Sequence, residues 1–342
     1  MTALTRTLTP RRWVLVALLI VAFAVVPRLG IDYLYDAILL PVLALGLAGI
    51  GLNLLTGYAG QISVGSAAFM AVGAFGAYNL MLRAPQLPVL VSFIIAGLIA
   101  AVVGILFGLP SLRLKGFYLL VSTLAAQFFV QWVLTNFHWF VNDDPSGVVT
   151  APQILIGGID VGTPAGRYVL CLAIVLLLAW AAHRLARSQV GRNWIAVRDN
   201  ETAAAVIGVS VFRSKLLAFA ISSFYCGVAG ILWAFAYLRT VESDGFSLDL
   251  SFRILFIIII GGLASIRGAF LGAIFLVTLP LVLSRFGAAV FQSTNSGVIE
   301  LAEMILLGLL IIVLLIAEPD GLVSLIDRGW QRIAARALPR AS

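Results

Sequence analysis

Apolar runs of bilayer-crossing length follow one another along this chain, separated by short polar stretches. A spanning helix needs about 20 mostly apolar residues, and on that measure the pattern predicts about ten. They are Trp13–Val26, Ala37–Leu55, Ile62–Leu82, Pro88–Leu109, Phe117–Asn136, Tyr168–Ala182, Leu216–Leu238, Leu250–Leu263, Ala269–Phe286 and Val298–Ala317. Phe117–Asn136 is polar for a span, with Ser122, Thr123, Gln127 and Gln131. Leu250–Leu263 is short and runs into a glycine break. If Leu250–Phe286 is one broken hairpin that does not cross twice, the number falls to about eight or nine. The expected fold class is all-α: a polytopic membrane protein with broken or re-entrant glycine-rich segments, 1–342 forming a single transmembrane domain.

The polar stretches orient these spans. Lys and Arg collect on the cytoplasmic side of membrane proteins. Residues 1–12 hold Arg6, Arg11 and Arg12 and no acid, so the N-terminus is expected in the cytoplasm, as a retained first span rather than a cleaved signal peptide. An even number of spans returns the C-terminus to the same side, where Arg328, Arg332, Arg336 and Arg340 recur at amphipathic spacing. Arg113 and Lys115 fall inside; 136–167 falls outside, with Asp143, Asp144 and Asp160 against Arg167. So does Arg239–Asp249, with Glu242, Asp244 and Asp249. The external loop 136–167 is too rich in glycine and proline for a long helix, and a loop of that length is either functional or a cap over span ends. The longest polar island, Ala182–Leu216, carries Arg184, Arg187, Arg192, Arg198, Arg213 and Lys215 against Asp199 and Glu201. It falls inside, and 183–215 reads as a cytoplasmic loop that touches a partner.

Composition agrees with lipid as the solvent. The chain is 62% hydrophobic and 11% charged over 342 residues, where soluble proteins carry about 25% charge. Its net charge of +7 sits at span ends rather than in one stripe, which marks topology and not nucleic-acid binding. Cys171 and Cys226 lie inside apolar runs without a CxxC partner, and His138 and His183 are isolated, so no metal site is expected. No nucleophile–base set, paired acids or ATP-binding motif occurs. Carboxylates are absent from the middle of the spans, Glu300 and Glu303 lying near an outer end, which argues against proton coupling. The chain reads as a conduit powered by another subunit, with no cofactor of its own. A self-contained secondary transporter or channel for a small polar solute is the alternative.

Two stretches are glycine-rich. In Gly46–Tyr78 the sequence Gly57-Tyr58-Ala59-Gly60-Gln61 looks like a helix break. Freed backbone at membrane depth is tolerated only where protein or water satisfies it. Asn53, Gly57, Gly60, Gln61, Ser63, Gly65 and Ser66 are therefore candidates for a translocation path; close helix packing is the competing reading. The second break, Gly261–Gly268, ends in Arg267 and is no phosphate-binding loop, since it fits no Walker pattern. Breaks in both halves give a faint internal symmetry of a kind common in transporters.

Four motifs now carry a resemblance: GLNLLTGYAGQISVG from Gly51, LRLKGFY from Leu112, Gly191-Arg192 through Arg198-Asp199-Asn200-Glu201-Thr202-Ala203-Ala204 to Gly208, and GGLASIRG from Gly261. In this order, over nearly the whole chain, they resemble the permease subunits of ABC transporters for branched-chain and hydrophobic amino acids, the M-type subunit above all. The resemblance implies a bacterial inner-membrane location and a single permease domain. It implies a second homologous permease subunit, two cytoplasmic ATPase subunits that hold ATP and Mg, and a periplasmic solute-binding protein. It assigns ATPase coupling to Arg192, Arg198, Asp199, Asn200, Glu201, Ala203, Ala204 and Gly208. The flanking Arg184, Arg187, Arg213 and Lys215 then read as membrane-interface anchors. Docking of the binding protein falls to the outer acids Asp143, Asp144, Glu242 and Asp244. Ser66 stands where many such permeases have His. The substrate is not inherited, since the family also carries urea, amides and aromatic acids.

Overall fold

The computed structural model describes residues 30–111, 117–152, 154–156 and 159–290, with 22–23, 26–28 and scattered positions from 305 to 328. Most of the expected spans Trp13–Val26 and Val298–Ala317 lies outside the described residues, as do Arg113, Lys115, Glu300 and Glu303. The fold is all-α apart from very short strand pairings. Six described helices are long and apolar enough to cross a membrane, and the expected spans Ile62–Leu82 and Leu250–Leu263 are not among them.

Helix α1 runs Asp32–Tyr58, longer at both ends than the apolar pattern suggested. Its α-helical part, Leu40–Asn53, is apolar on every side and wholly buried, which makes it the central rod. It closes in a π turn, Leu54–Tyr58. An extended link, 59–65, leads to α2, Ser66–Arg83, so Ile62–Gly65 are not helical as the hydropathy implied. Helices α3 (Val89–Ser111), α4 (Phe117–Asn136) and α5 (Pro164–Ala186) follow. The polar island is two short helices, α6 (Gln189–Asp199) and α7 (Glu201–Val206). Helix α8, Val211–Leu238, also closes in a π turn, Trp233–Leu238. A second link leads to α9, Leu248–Gly261, then α10, Ile266–Val290.

The order helix, π turn, extended link, shorter helix, long helix thus occurs twice, as α1–α2–α3 and as α8–α9–α10. The two copies run oppositely. Cys226 Sγ lies 3.9 Å from Ala48 O, while a Cβ on Gly51 would meet Ser222 O, so α1 and α8 are antiparallel. Helix α10 packs antiparallel on α1, pairing Gly49 with Ala269 and Gly46 with Phe270. Helix α3 packs antiparallel on α8 in the same way, pairing Gly97 with Val228 and Gly108 with Phe219. Small residues let these backbones approach, since lipid supplies no hydrophobic drive between helices.

The bundle has a basic end and an acidic end. The island, the π turn of α1 and the turn between α9 and α10 share the first. At the second, strands β1 (Val149–Thr150) and β4 (Thr240–Val241) pair antiparallel, with Val149 opposite Val241. β2 (Leu155–Ile156) and β3 (Ile159–Asp160) form a local hairpin. The stretch 136–167 is therefore a structured cap, and its last residues already belong to α5.

Candidate functional site

Three of the sequence motifs meet at the basic end. Asn53, the last residue of the α-helical part of α1, is 1% exposed. Its Nδ2 donates to Ser265 O at 2.9 Å and Gly262 O at 3.4 Å, and its Oδ1 accepts from Ala264 N at 2.8 Å. One amide thus staples α1 to the α9–α10 turn, which bends through Ala264 at φ +57°. Gly57 packs against that turn, where a Cβ would collide with Ala264 N. Its carbonyl, near a helix end and short of intrahelical donors, accepts from Arg198 Nη1 at 2.7 Å. The Arg198 stem lies over Gly60, at φ +70°, where an added Cβ would sit 2.6 Å from Arg198 Cγ. Asp199 Oδ1 holds the guanidinium from Nε at 3.0 Å and Nη2 at 2.9 Å.

The island reaches this position through its own packing. Ser188 caps α6, accepting from Val190 N at 3.2 Å. Gly191, Trp194 and Val197 face inward at helical spacing, and Trp194 Nε1 donates to Ser214 O at 2.9 Å. Asn200 turns the corner and caps α7, its Oδ1 accepting from Ala203 N at 3.0 Å. Glu201 pairs with Lys215 at 2.5 Å. Lys215 is buried, which corrects its reading as an interface anchor. Gly208, at φ +88°, stops α7 in the left-handed conformation that glycine adopts freely.

Of the residues assigned to coupling, Arg198, Asn200, Glu201 and Ala204 hold the island together or to the bundle, while Arg192, Asp199, Ala203 and Gly208 face out. Val206 and Ile207, 83% and 73% exposed, form an apolar knob that sequence reasoning passed over. Their helix-favourable neighbours hid them; the signal was two branched apolar residues beside a glycine stop on a polar loop.

The candidate path residues follow the break. Gln61 is 3% exposed and its amide has no partner among the described residues; Ser66 Oγ, at the start of α2, is likewise buried and unpartnered. Ser63 Oγ accepts from Gly65 N at 3.3 Å, and Gly65 presses on Thr123 O. The first turn of α2 is satisfied from outside. Ala67 N donates to Ser251 Oγ at 2.9 Å and Ala68 N to Gln127 Oε1 at 2.6 Å. Gln127 Nε2 in turn donates to Phe246 O, just before α9, at 2.9 Å. Gln127 lies midway along α4, so α2 and α9 both start level with the middle of that helix. Gln127, one of the residues that made this span polar, joins the two starts with Ser251, whose Oγ donates to Gln127 Oε1 at 3.2 Å, while Thr123 accepts from Val64 N in the link at 3.1 Å.

At the acidic end, Asp144, Glu242 and Asp244 line one cavity of about 270 Å³ with His138, Ser146 and Ser243. The β1–β4 pairing brings the two loops together. Asp143 is not among the lining residues. Hydrogen bonds from the Ser146 hydroxyl and backbone hold the Asp144 carboxyl below its ordinary range. Among the described residues no group of three or more His, Cys, Asp or Glu could hold a metal ion.

A bundle of antiparallel apolar helices, interrupted twice with polar groups gathered at the interruptions, has the form of a membrane transport protein. Residues 34–314 match the family described as "Branched-chain amino acid transport system / permease component", and the chain belongs to it. It is 30% identical over 298 residues to the high-affinity branched-chain amino acid transport system permease protein LivM of Escherichia coli K12, covering 80% of this chain and 66% of that one. The LivM of Salmonella typhimurium LT2 is 29% identical, covering 90% and 74%. The autoinducer 2 import system permease protein LsrC of an Enterobacter species is 31% identical over 259 residues, covering 74% and 70%. No solved structure matches the chain.

Proposed function

We propose that this chain is the membrane subunit of an ATP-driven importer in a bacterial inner membrane, passing branched-chain or other hydrophobic amino acids, or related small molecules, inward. The observation that carries the proposal is the polar island: two short helices locked to a helix break, with an apolar knob at Val206 and Ile207 turned away from the bundle. Two cytoplasmic ATPase subunits would seat on that knob and on the open face of Arg192, Asp199, Ala203 and Gly208. The basic end would face the cytoplasm with both termini, by the charge rule, and α2 and α9 would be half-spans entering from opposite sides.

A substrate would pass the breaks, meeting Gln61, Ser63 and Ser66; the buried unpartnered atoms of Gln61 and Ser66 are ready to bond a polar solute. Uncharged donors and acceptors suit a small molecule that must also leave. A second, similar permease would complete the path. A periplasmic binding protein would dock on Asp143, Asp144, Glu242 and Asp244 and choose the substrate; relatives named for amino acids and for autoinducer 2 are about equally similar, which fits selection by a separate subunit.

The test is co-purification with the ATPases. Val206→Asp with Ile207→Asp should cut their association by about tenfold, as loss of an interface anchor does. Undiminished association would remove the island from the coupling role.

A further inference from the structure

We infer that Arg198 is the link that carries motion from the island into the broken first helix, and that island and break move as one body. The inference rests on the island being the ATPase seat. Arg198 closes a contact between residues 141 positions apart in sequence, from the last turn of α6 to the Gly57 carbonyl. The same glycine packs so close to Ala264 that a Cβ would not fit, and Asn53, one turn earlier, holds Gly262, Ala264 and Ser265. Any shift of the end of α6 therefore bears on the π turn of α1 and on the α9–α10 turn together. The link 59–65 leaves that π turn directly toward Gln61 and Ser66, so the displacement arrives where the unpartnered polar atoms lie.

Each feature of the contact suits transmission. Asp199 fixes the guanidinium plane from one side, leaving Nη1 aimed at the carbonyl. Arginine's planar fork keeps that geometry, where a lysine would swivel. The stem fills the space that a side chain at position 60 would take, so a push as well as a pull is conveyed. A π turn stores an alternative hydrogen-bond register, and such turns gather at functional sites. Arg198 is in this sense a positioning residue, acting on the path through Gly57 and Gly60.

A disulfide in place of the arginine tests the claim. A Cβ at Gly60 would lie 3.1 Å from Arg198 Cβ, near the roughly 3.5–4.5 Å that a disulfide spans. Cys171 and Cys226 are buried and leave the oxidant a clear target. The complete complex, carrying Gly60→Cys with Arg198→Cys, is reconstituted in proteoliposomes with ATP inside or outside as uptake requires. In the reduced state the tether is missing: solute moved per ATP hydrolysed should fall by about tenfold, with ATPase association unchanged. Oxidation should return that ratio to within about twofold of the parent. Three results would each overturn the link: wild-type coupling in the reduced pair, no disulfide under oxidation in the assembled complex, or an oxidised pair that stays dead because the contact must open in each cycle. Arg198→Lys, which leaves Gly60 untouched, guards against strain at position 60; it should lower the same ratio, and full coupling in it would also overturn the link. Failure of the island as ATPase seat shows separately, as intact ATPase association in the Val206→Asp/Ile207→Asp variant.

Discussion

At the acidic end Arg167 reaches from the start of α5 to the π turn of α8 and donates to the carbonyl of Ala236. At the basic end Arg198 reaches from the end of α6 to the π turn of α1 and donates to the carbonyl of Gly57. Each guanidinium has a carboxylate partner, Asp36 for Arg167 at 3.1 Å and Asp199 for Arg198 at 2.9 Å. The surroundings differ. The Arg167 side chain is 4% exposed and its Asp36 is shared with Arg239 at 3.0 Å, joining α1, α5 and α8. The Arg198 side chain is 36% exposed and its carboxylate is its own chain neighbour. One π turn is clamped by a buried guanidinium that cannot let go without stranding its charge. The other is held by a half-open contact on an island with a face left for a partner. The repeated architecture supplies two similar breaks that differ in burial; on the proposed coupling, the buried one is fixed and the half-open one moves.

Removing the buried clamp should have the largest effect. Arg167→Gln takes the buried guanidinium from the Ala236 carbonyl and leaves Asp36 with Arg239 alone, a loss of about 3 kcal/mol, seen as failure to accumulate in membranes or a much lower melting temperature in detergent. Arg198→Ala should differ in kind, costing under about 1 kcal/mol of stability for a half-exposed pair while uncoupling transport. Equal destabilisation by the two would erase the distinction. Next in size is Asn53→Ala, which leaves the Ala264 N–H without its acceptor, at about 1–3 kcal/mol in the same thermal assay. Gln127→Leu opens the bridge between the starts of α2 and α9 and should cost about 1–2 kcal/mol; no change would mean the two starts are held otherwise. The smallest effect belongs to the acidic cap. Hydrogen bonds from Ser146 lower the Asp144 carboxyl from its ordinary value, so it keeps its charge to lower pH than an unbonded aspartate does. Binding-protein docking, measured by surface plasmon resonance, should weaken with salt, and Asp144→Asn should weaken it at neutral pH; no change would remove Asp144 from the docking face.

Much of this was legible in the sequence because lipid imposes a simple code. The apolar runs marked the six helices that are long enough to cross, and the motifs Gly51–Gly65, Gly191–Gly208 and Gly261–Gly268 marked segments that meet in space. Hydropathy failed at Ile62–Gly65, which is apolar enough to count as helix while Gly60 and Gly65 break it. It also lengthens no helix past a charge, so Asp32–Asp36 and Pro164–Arg167 were lost to α1 and α5, although Asp36 and Arg167 neutralise each other there. The inverted repeat was faint because its two copies share element order and packing, not residues: Gly57 in one π turn answers to Ala236 in the other. The inward turn of Arg198, Glu201 and Ala204 could not be read from a polar loop, where every charge looks free to meet a partner.

The decisive question for this protein is where the energy enters. The chain reconstituted alone in liposomes, and again with its second permease, both ATPases and binding protein, should be compared for solute uptake with and without ATP. Uptake should require the full set and ATP, and the chain alone should leave a solute gradient intact. Solute moving down its gradient through the chain alone, with no ATP, would contradict it.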